Sequence, residues 1–308
     1  MSLDSIFSLG QSALELGLIT SLTVLALFLS YSMLNVCDLS TDGCFTLGAT
    51  VGAVVAIAGH PYLSIAAEIA SGFITAILQT KMGINSLLAG IIVNTGLYSI
   101  NIAVMSGSSI LNMNKTDTVF TKMAALVKGT PVTRQSKLFV AVIAVAAVAV
   151  ILGLFLKTRL GLAIRATGDN PDMVRSSSVN PAFTTIIGLC VANSFTALSG
   201  CLLAQSQRSV NIDIGTGMVT IALASLLIGG VFLGRKKMPL RIFGMVLGAF
   251  IFRLIYTIAL RFDMPAFMLK FVSSVIVIAA IATPYFKKQL PLLKRRIQTR
   301  SGRRKADA

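Results

Sequence analysis

The 308-residue sequence is 55% hydrophobic and 12% charged, with a mean hydropathy of +0.84. A water-soluble domain carries about 25% charged residues, so this composition excludes an ordinary water-facing surface. The net charge of +16 does not point to nucleic acid, because nine basic residues crowd the last stretch (Lys287, Lys288, Lys294, Arg295, Arg296, Arg300, Arg303, Arg304 and Lys305) against Asp307. A basic run directly after an apolar one marks a cytoplasmic end instead.

About 20 apolar residues are needed to cross the hydrocarbon core as a helix. Nine runs meet or approach that length, at 12–33, 43–59, 62–80, 84–105, 138–157, 183–205, 217–234, 241–260 and 266–284. They are too long and too little alternating for barrel strands. The expected fold is therefore all-α, a polytopic transmembrane helical bundle of about 8–10 spans over residues 1–286, with a basic tail at 287–308. No basic residue precedes the first run, so Ile19–Met33 reads as part of a retained span and not as a cleaved leader.

The second run is short and opens with Asp42-Gly43, which suggests a broken or re-entrant helix. Asp213-Ile214-Gly215-Thr216-Gly217 opens the seventh run in a similar way. Short, Gly-interrupted helices that recur in opposite directions mark transporter pathways; two similar helix starts also arise by chance. Gly48 and Gly52, Gly230 and Gly234, and Gly244 and Gly248 are spaced for close helix approach.

Loop charge gives the orientation. Arg235, Lys236, Lys237 and Arg241 fall on the side of the basic tail, as do Lys157, Arg159, Arg165 and Arg175; Lys81 follows, and the N-terminus falls outside. One loop resists. Residues 106–137 fall outside yet carry Lys115, Lys122, Lys128, Arg134 and Lys137 against Asp117. Either this loop meets an acidic partner or the upstream span count is off by one.

Nothing in the chain resembles an enzyme. Gly229–Lys236 lacks the Lys-Ser/Thr ending of a phosphate loop. His60 is the single histidine and reads as an interfacial residue. Cys37, Cys44, Cys190 and Cys201 have neither zinc nor redox spacing and read as free thiols. No metal or cofactor is expected on this chain. Active transport would draw its energy from another chain or from an ion gradient.

Polar residues inside apolar runs are costly there, so they are the candidates for a solute path. They are Glu68; Asn94, Tyr98 and Asn101 on one helix face; Asn193; and Arg253, about midway between Arg241 and Arg261. Arg253 has three readings: attraction of a substrate carboxylate, pairing with Glu68, or bonding to backbone carbonyls. Asn94 to Asn101 serve equally well as interhelical hydrogen-bonding groups.

Residues 157–182 are longer than a minimal connection. Gly168-Asp169-Asn170-Pro171 is a turn, with Pro171 suited to the first position of a short helix. A helix–turn–helix element on the cytoplasmic side is expected, with charges and apolar positions able to dock a soluble partner.

This segment, GLAIRATGDNPDMVRSSSVNP, resembles the cytoplasmic coupling segment of ABC permeases in the branched-chain amino acid, ribose and nucleoside importer superfamily. DLSTDGCFTLGATVGA, from Asp38 to Ala53, is similar to that superfamily's early motif. Leu87–Asn101 and Gly188–Gln207 resemble its tryptophan/tyrosine-type subgroup. The resemblance covers about residues 13–285. It implies an importer permease for a small polar nutrient, an amino acid and an aromatic one first, with branched-chain amino acids and nucleosides next. It also implies an extracytoplasmic binding protein, a cytoplasmic ATPase dimer that carries ATP and magnesium, and a second permease copy, as a homodimer in a bacterial inner membrane. Arg165, Ala166, Gly168, Asp169, Asn170 and Asp172 would seat in the ATPase. Ser176-Ser177-Ser178 departs from the family pattern, which has small residues ending in Gly there. The rival class is an ion-driven secondary transporter of a small solute, which needs intramembrane acidic or histidine relays and finds only Glu68. A membrane scaffold would need neither the polar spans nor the long cytoplasmic motif.

Overall fold

Long runs of branched and small apolar residues form helices because a helix satisfies its own backbone groups, which lipid cannot do. A computed structural model describes residues 3–60, 62–63, 86–114, 116–126, 135–233 and 237–261, with 271, 274, 275, 278 and 282. In chain order these form α1 (Leu3–Leu27), a π-helical turn (Phe28–Met33), α2 (Thr41–Ile57), α3 (Ser86–Val104), β1 (Ile110–Asn112), α4 (Val119–Leu126) and α5 (Ser136–Phe155). They continue as α6 (Arg159–Asp169), α7 (Pro171–Ser176), α8 (Pro181–Gln207), β2 (Ser209–Asn211), α9 (Met218–Leu233) and α10 (Met238–Arg261). The fold is a helical membrane bundle, as the composition requires. Four stretches among the described residues are long and apolar enough to cross a membrane: Gly10–Met33, Ser136–Phe155, Pro181–Gln207 and Met238–Ala259. Thr41–Ile57, Leu88–Val104 and Met218–Val231 are shorter apolar helices. Nearly all of the expected span 62–80 with Glu68, most of 266–284, and the basic tail lie outside the described residues.

α1 and α8 are the buried centre. Ile19, Leu22 and Leu25 of α1 and Phe28 of the π-turn are shielded from solvent together with Leu198 and Leu202 of α8, and the Ser199 hydroxyl donates to the Ile19 carbonyl at 2.7 Å. Such a bond holds two helices together in a medium that supplies no competing water. α2 crosses α8 at backbone contact. A Cβ at Gly48 would overlap the Ala197 backbone, and one at Gly200 would overlap the Phe45 carbonyl. Gly244 and Gly248 of α10 sit likewise against Gly229 and Ser225 of α9, whereas Gly230 faces open space.

Contacts sort the connections into two ends. At one end Gly168 lies against the Met33 carbonyl, and Arg241 reaches Ser32 at 3.3 Å. The end of α1, the α6–α7 element and the start of α10 therefore gather there. At the other end β1 pairs antiparallel with β2 (Ile110 opposite Asn211, Asn112 opposite Ser209). The amide of Val119 donates to Gln205 Oε1 at 2.9 Å, and Lys137 Nζ to the Ser206 carbonyl at 3.3 Å. The loop that resisted the charge rule is thus pinned to the end opposite α6–α7, where the span count puts it.

The echo between the second and seventh runs takes a physical form. α1 ends in the π-turn with Asn35 at φ 56°, passes through an irregular stretch and re-enters as the 17-residue α2. α8 ends at Arg208, also at φ 56°, passes through β2 and a turn, and re-enters as the 16-residue α9. α2 runs toward the ribbon end, where Ala56 packs with Met105 and Val210. α9 runs the other way, since Gly229 meets Gly244 near the start of α10. Opposed short helices after long ones are the geometry of an inverted repeat.

Candidate functional site

The two short helices meet at their N-termini. The four leading amides of a helix have no partner within it and carry a partial positive charge. Asp42, in the first turn of α2, supplies what α9 lacks: its carboxylate oxygens accept from the amides of Gly217 and Val219 at 2.9 and 2.8 Å. Close packing makes this reach possible, because Gly215 lies against the Asp42 carbonyl with no room for a Cβ.

Beside this junction is a cavity of about 380 Å³, within the range of small-molecule sites. Asp42, Gly43 and Thr46 of α2 line it, with Asn94, Thr95, Tyr98, Ser99 and Asn101 of α3 and Ile212, Asp213 and Thr216 of the turn before α9. Gly43 leaves room for the Asn94 side chain: a Cβ there would stand 2.6 Å from its Oδ1. Asn94 lies ten residues before the end of α3, about 15 Å at 1.5 Å per residue, or half of a ~30 Å hydrocarbon core. Asn101 is buried, with Thr50 Oγ1 3.5 Å from its Oδ1. Tyr98 is half exposed, and Thr95 and Ser99 are exposed, on the outer surface of the single chain. A helix face of this polarity is costly against lipid and suits water or a second protein surface.

The sequence candidates Asn94, Tyr98 and Asn101 thus come together around one cavity. Asn193 does not line it; it is buried within α8, with Nδ2 lacking a hydrogen-bond partner among the described residues. Arg253 packs against Gly17 of α1, and its guanidinium sits 5.0 Å above the Tyr256 ring with Nε unbonded among the described residues. It too lies off the cavity lining, and its proposed partner Glu68 is outside the described residues. Sequence reasoning noted Asp42 and Asp213 as helix openings but missed them as lining residues. The Asp that recurs at the opening of each short run was the available signal.

The second notable element is α6–α7. Thr158 caps α6 by accepting from the Gly161 amide at 3.2 Å, and Asn170 Oδ1 caps α7 by accepting from the amides of Asp172 and Met173, both at 3.1 Å. Pro171 occupies the first turn of α7, where a missing N–H costs nothing. Of the expected partner-facing residues, Asp169, Asn170 and Asp172 are exposed and Arg165 and Ala166 half-buried. Gly168 instead faces inward onto Met33 and Leu34. Thr167 and Thr184 hydroxyls meet at 2.7 Å, tying α6 to α8. Leu162 and Met173 are exposed apolar side chains beside the carboxylates, a docking feature that the motif reading did not single out.

A bundle of apolar helices long enough to cross a membrane, with a polar cavity among them, defines an integral membrane protein. The family model described as "Branched-chain amino acid transport system / permease component" matches residues 11–281, and the chain belongs to that family. It is similar to a tyrosine transport system permease protein of Clostridioides difficile (strain R20291), 30% identical over 277 residues, covering 88% of this chain and 90% of the relative. It is similar to an uncharacterized protein of Rickettsia prowazekii (strain Madrid E), 30% identical over 71% of this chain and 75% of that one. An autoinducer 2 import system permease protein LsrC of Yersinia pestis (strain Pestoides F) is 24% identical over 90% of this chain and 75% of its own. No solved structure matches.

Proposed function

We propose that this chain is the membrane-spanning subunit of an ATP-driven importer of an amino acid, aromatic amino acids first. The observation that carries the reading is the anchored α6–α7 element. It presents Asp169, Asp172, Leu162 and Met173 outward while Gly168 and Thr167 fasten it to the ends of α1 and α8. A partner that grips this element moves the π-turn at Phe28–Met33 and, through residues 34–40, the start of α2 beside the cavity. The soluble partner is an ATPase dimer that holds ATP and magnesium; this chain supplies the lever and the path.

The exposed polar face of α3 suits coverage by a second copy of the chain, and it supports a reading in which the passage is shared by two identical subunits. The basic segment 106–137 suits an acidic lobe of an extracytoplasmic binding protein. In a bacterial inner membrane this sets α6–α7 and the C-terminus in the cytoplasm. The tyrosine in the name of the Clostridioides difficile relative favours an aromatic amino acid as cargo.

Co-purification of the chain with the ATPase encoded beside it tests this reading. Wild type should bring the ATPase down, and Asp169→Ala/Asp172→Ala should lose it while inserting normally. A stable wild-type chain that recruits no ATPase and stimulates no ATP hydrolysis sinks the proposal.

A further inference from the structure

A second cavity lies apart from the polar one. It is a groove of about 480 Å³ where α1, α5 and α10 meet. Leu18, Val145 and Ile242 form its floor, and Val150, Leu154 and Phe243, each 60% exposed, form its lips. Ala146, Ala149 and Gly153 give it room, small residues three and four apart on one face of α5. A polar solute finds little to bind here. Among the described residues Lys157 is the one polar side chain of the lining, at the end that also holds Met238 and Pro239, and no acidic residue lines it. Arg159 and Lys237, two residues after Lys157 and one before Met238, are exposed at the same end.

The occupant follows from where the groove opens. The spans of α5 and α10 are 28% and 33% buried, against 72% and 83% for those of α1 and α8, so the lips belong to the two helices that face hydrocarbon. From Lys157 to Val142 the groove follows α5 for about 22 Å, and from Met238 to Val246 it follows α10 for about 12 Å. One leaflet of a ~30 Å core is about 15 Å deep, so the groove runs the depth of a leaflet with its cation at the headgroup end. Lipid tails are as apolar as the lining, and a chain in the groove selects nothing by itself. Selection comes from the headgroup, and a cation over an apolar slot favours a phosphate that carries no compensating ammonium. We propose that this groove is a site for an anionic phospholipid, with one acyl chain between α5 and α10 and the phosphate at Lys157. The lipid braces the start of α10 where Arg241, one residue before Ile242, reaches Ser32 of the π-turn at 3.3 Å. The site is separate from the solute path and does not depend on which solute passes.

The sequence has no Trp, so a single introduced one reports its lipid neighbours without background. The full-length chain carrying Phe243→Trp, or Val150→Trp at the other lip should the first fail to fold, is reconstituted into vesicles of equal phosphatidylglycerol and phosphatidylcholine. Bromines are placed on the acyl chains of one lipid or the other, and quenching of the Trp is compared. One basic group near the surface favours an anionic headgroup about fivefold, so brominated phosphatidylglycerol should quench as if enriched about fivefold over brominated phosphatidylcholine. Ile151→Trp, 55% exposed on α5 but outside the lining, should show no such preference. Adding Lys157→Gln to Phe243→Trp should abolish the preference, and Lys157→Arg should keep it. Equal quenching by the two lipids at both lips overturns the proposal. So does a preference that survives Lys157→Gln, or one matched at Ile151→Trp, which would be diffuse attraction to a basic surface. Quenching by neither lipid would mean that protein covers the groove, and would overturn it as well.

Discussion

Removing the Asp42 carboxylate should loosen the junction of the two short helices. Asp42→Ala leaves the amides of Gly217 and Val219 without acceptors that now stand at 2.9 and 2.8 Å. A hydrogen bond to a charged group contributes about 1.5–3 kcal/mol, and loss of a helix N-cap costs about 1–2 kcal/mol. Asp42 is half-buried and borders a cavity that admits water, so the lower end applies: about 3 kcal/mol for Asp42→Ala, and about 1–2 kcal/mol for Asp42→Asn, which keeps one acceptor. At roughly 2–4 °C per kcal/mol the alanine variant should melt about 6–12 °C lower. A fluorogenic maleimide reads this directly, because Cys44, Cys190 and Cys201 are buried and react on unfolding. Val219→Pro supplies a second arm. It removes one of the two donors at the second position of α9, where proline is tolerated. The double variant should cost less than the sum of the singles, since both remove one interaction. An unchanged melting temperature for Asp42→Ala, or strict additivity with Val219→Pro, would refute the clamp.

Other outcomes follow from the packing. Gly48→Leu should prevent folding because Ala197 backbone occupies the space, whereas Gly230→Ala, with nothing within 4 Å, should be neutral or stabilise by up to about 1 kcal/mol; expression yield and melting temperature separate the two. Gly168→Leu should lower melting and detach α6 from Met33, while Asp169→Ala/Asp172→Ala should leave melting unchanged and remove only ATPase recruitment. Ser178 sits at φ 62°, so Ser178→Val should cost about 1–2 kcal/mol in thermal melts and Ser178→Gly should be tolerated without loss.

Run length alone marked α1, α5, α8 and α10, because crossing lipid demands long apolar helices and little else competes with that signal. The shortness of α2 and α9 was legible in their Asp and Gly openings, and the opposed directions in the alternation of basic loops. The departure at Ser176–Ser178 was visible as well, and its physical content is the left-handed backbone at Ser178. What the residues could not announce were long-range contacts. The Asp42 clamp joins positions 175 and 177 residues apart, and no local pattern encodes that meeting. Gly168 read as a partner-facing turn residue because its neighbours Asp169 and Asn170 are exposed; only the approach of Met33 assigns it to packing. Asn94, Tyr98 and Asn101 shared a helix face by spacing, yet the same spacing fitted helix–helix glue until a cavity stood beside it. Arg253 was legible as an intramembrane charge, while its stacking on Tyr256 followed from the helix turn it shares with that ring.

ATP-dependent uptake of labelled L-tyrosine into vesicles holds the most weight. The vesicles contain this chain with the ATPase encoded beside it and the neighbouring binding protein, in wild type and in Thr95→Trp, which fills the cavity without touching α6–α7. Uptake should occur in wild type and vanish in Thr95→Trp while the ATPase stays bound. Uptake undiminished with the cavity filled would mean that the solute takes another route, and the site described beside Asp42 would lose its role.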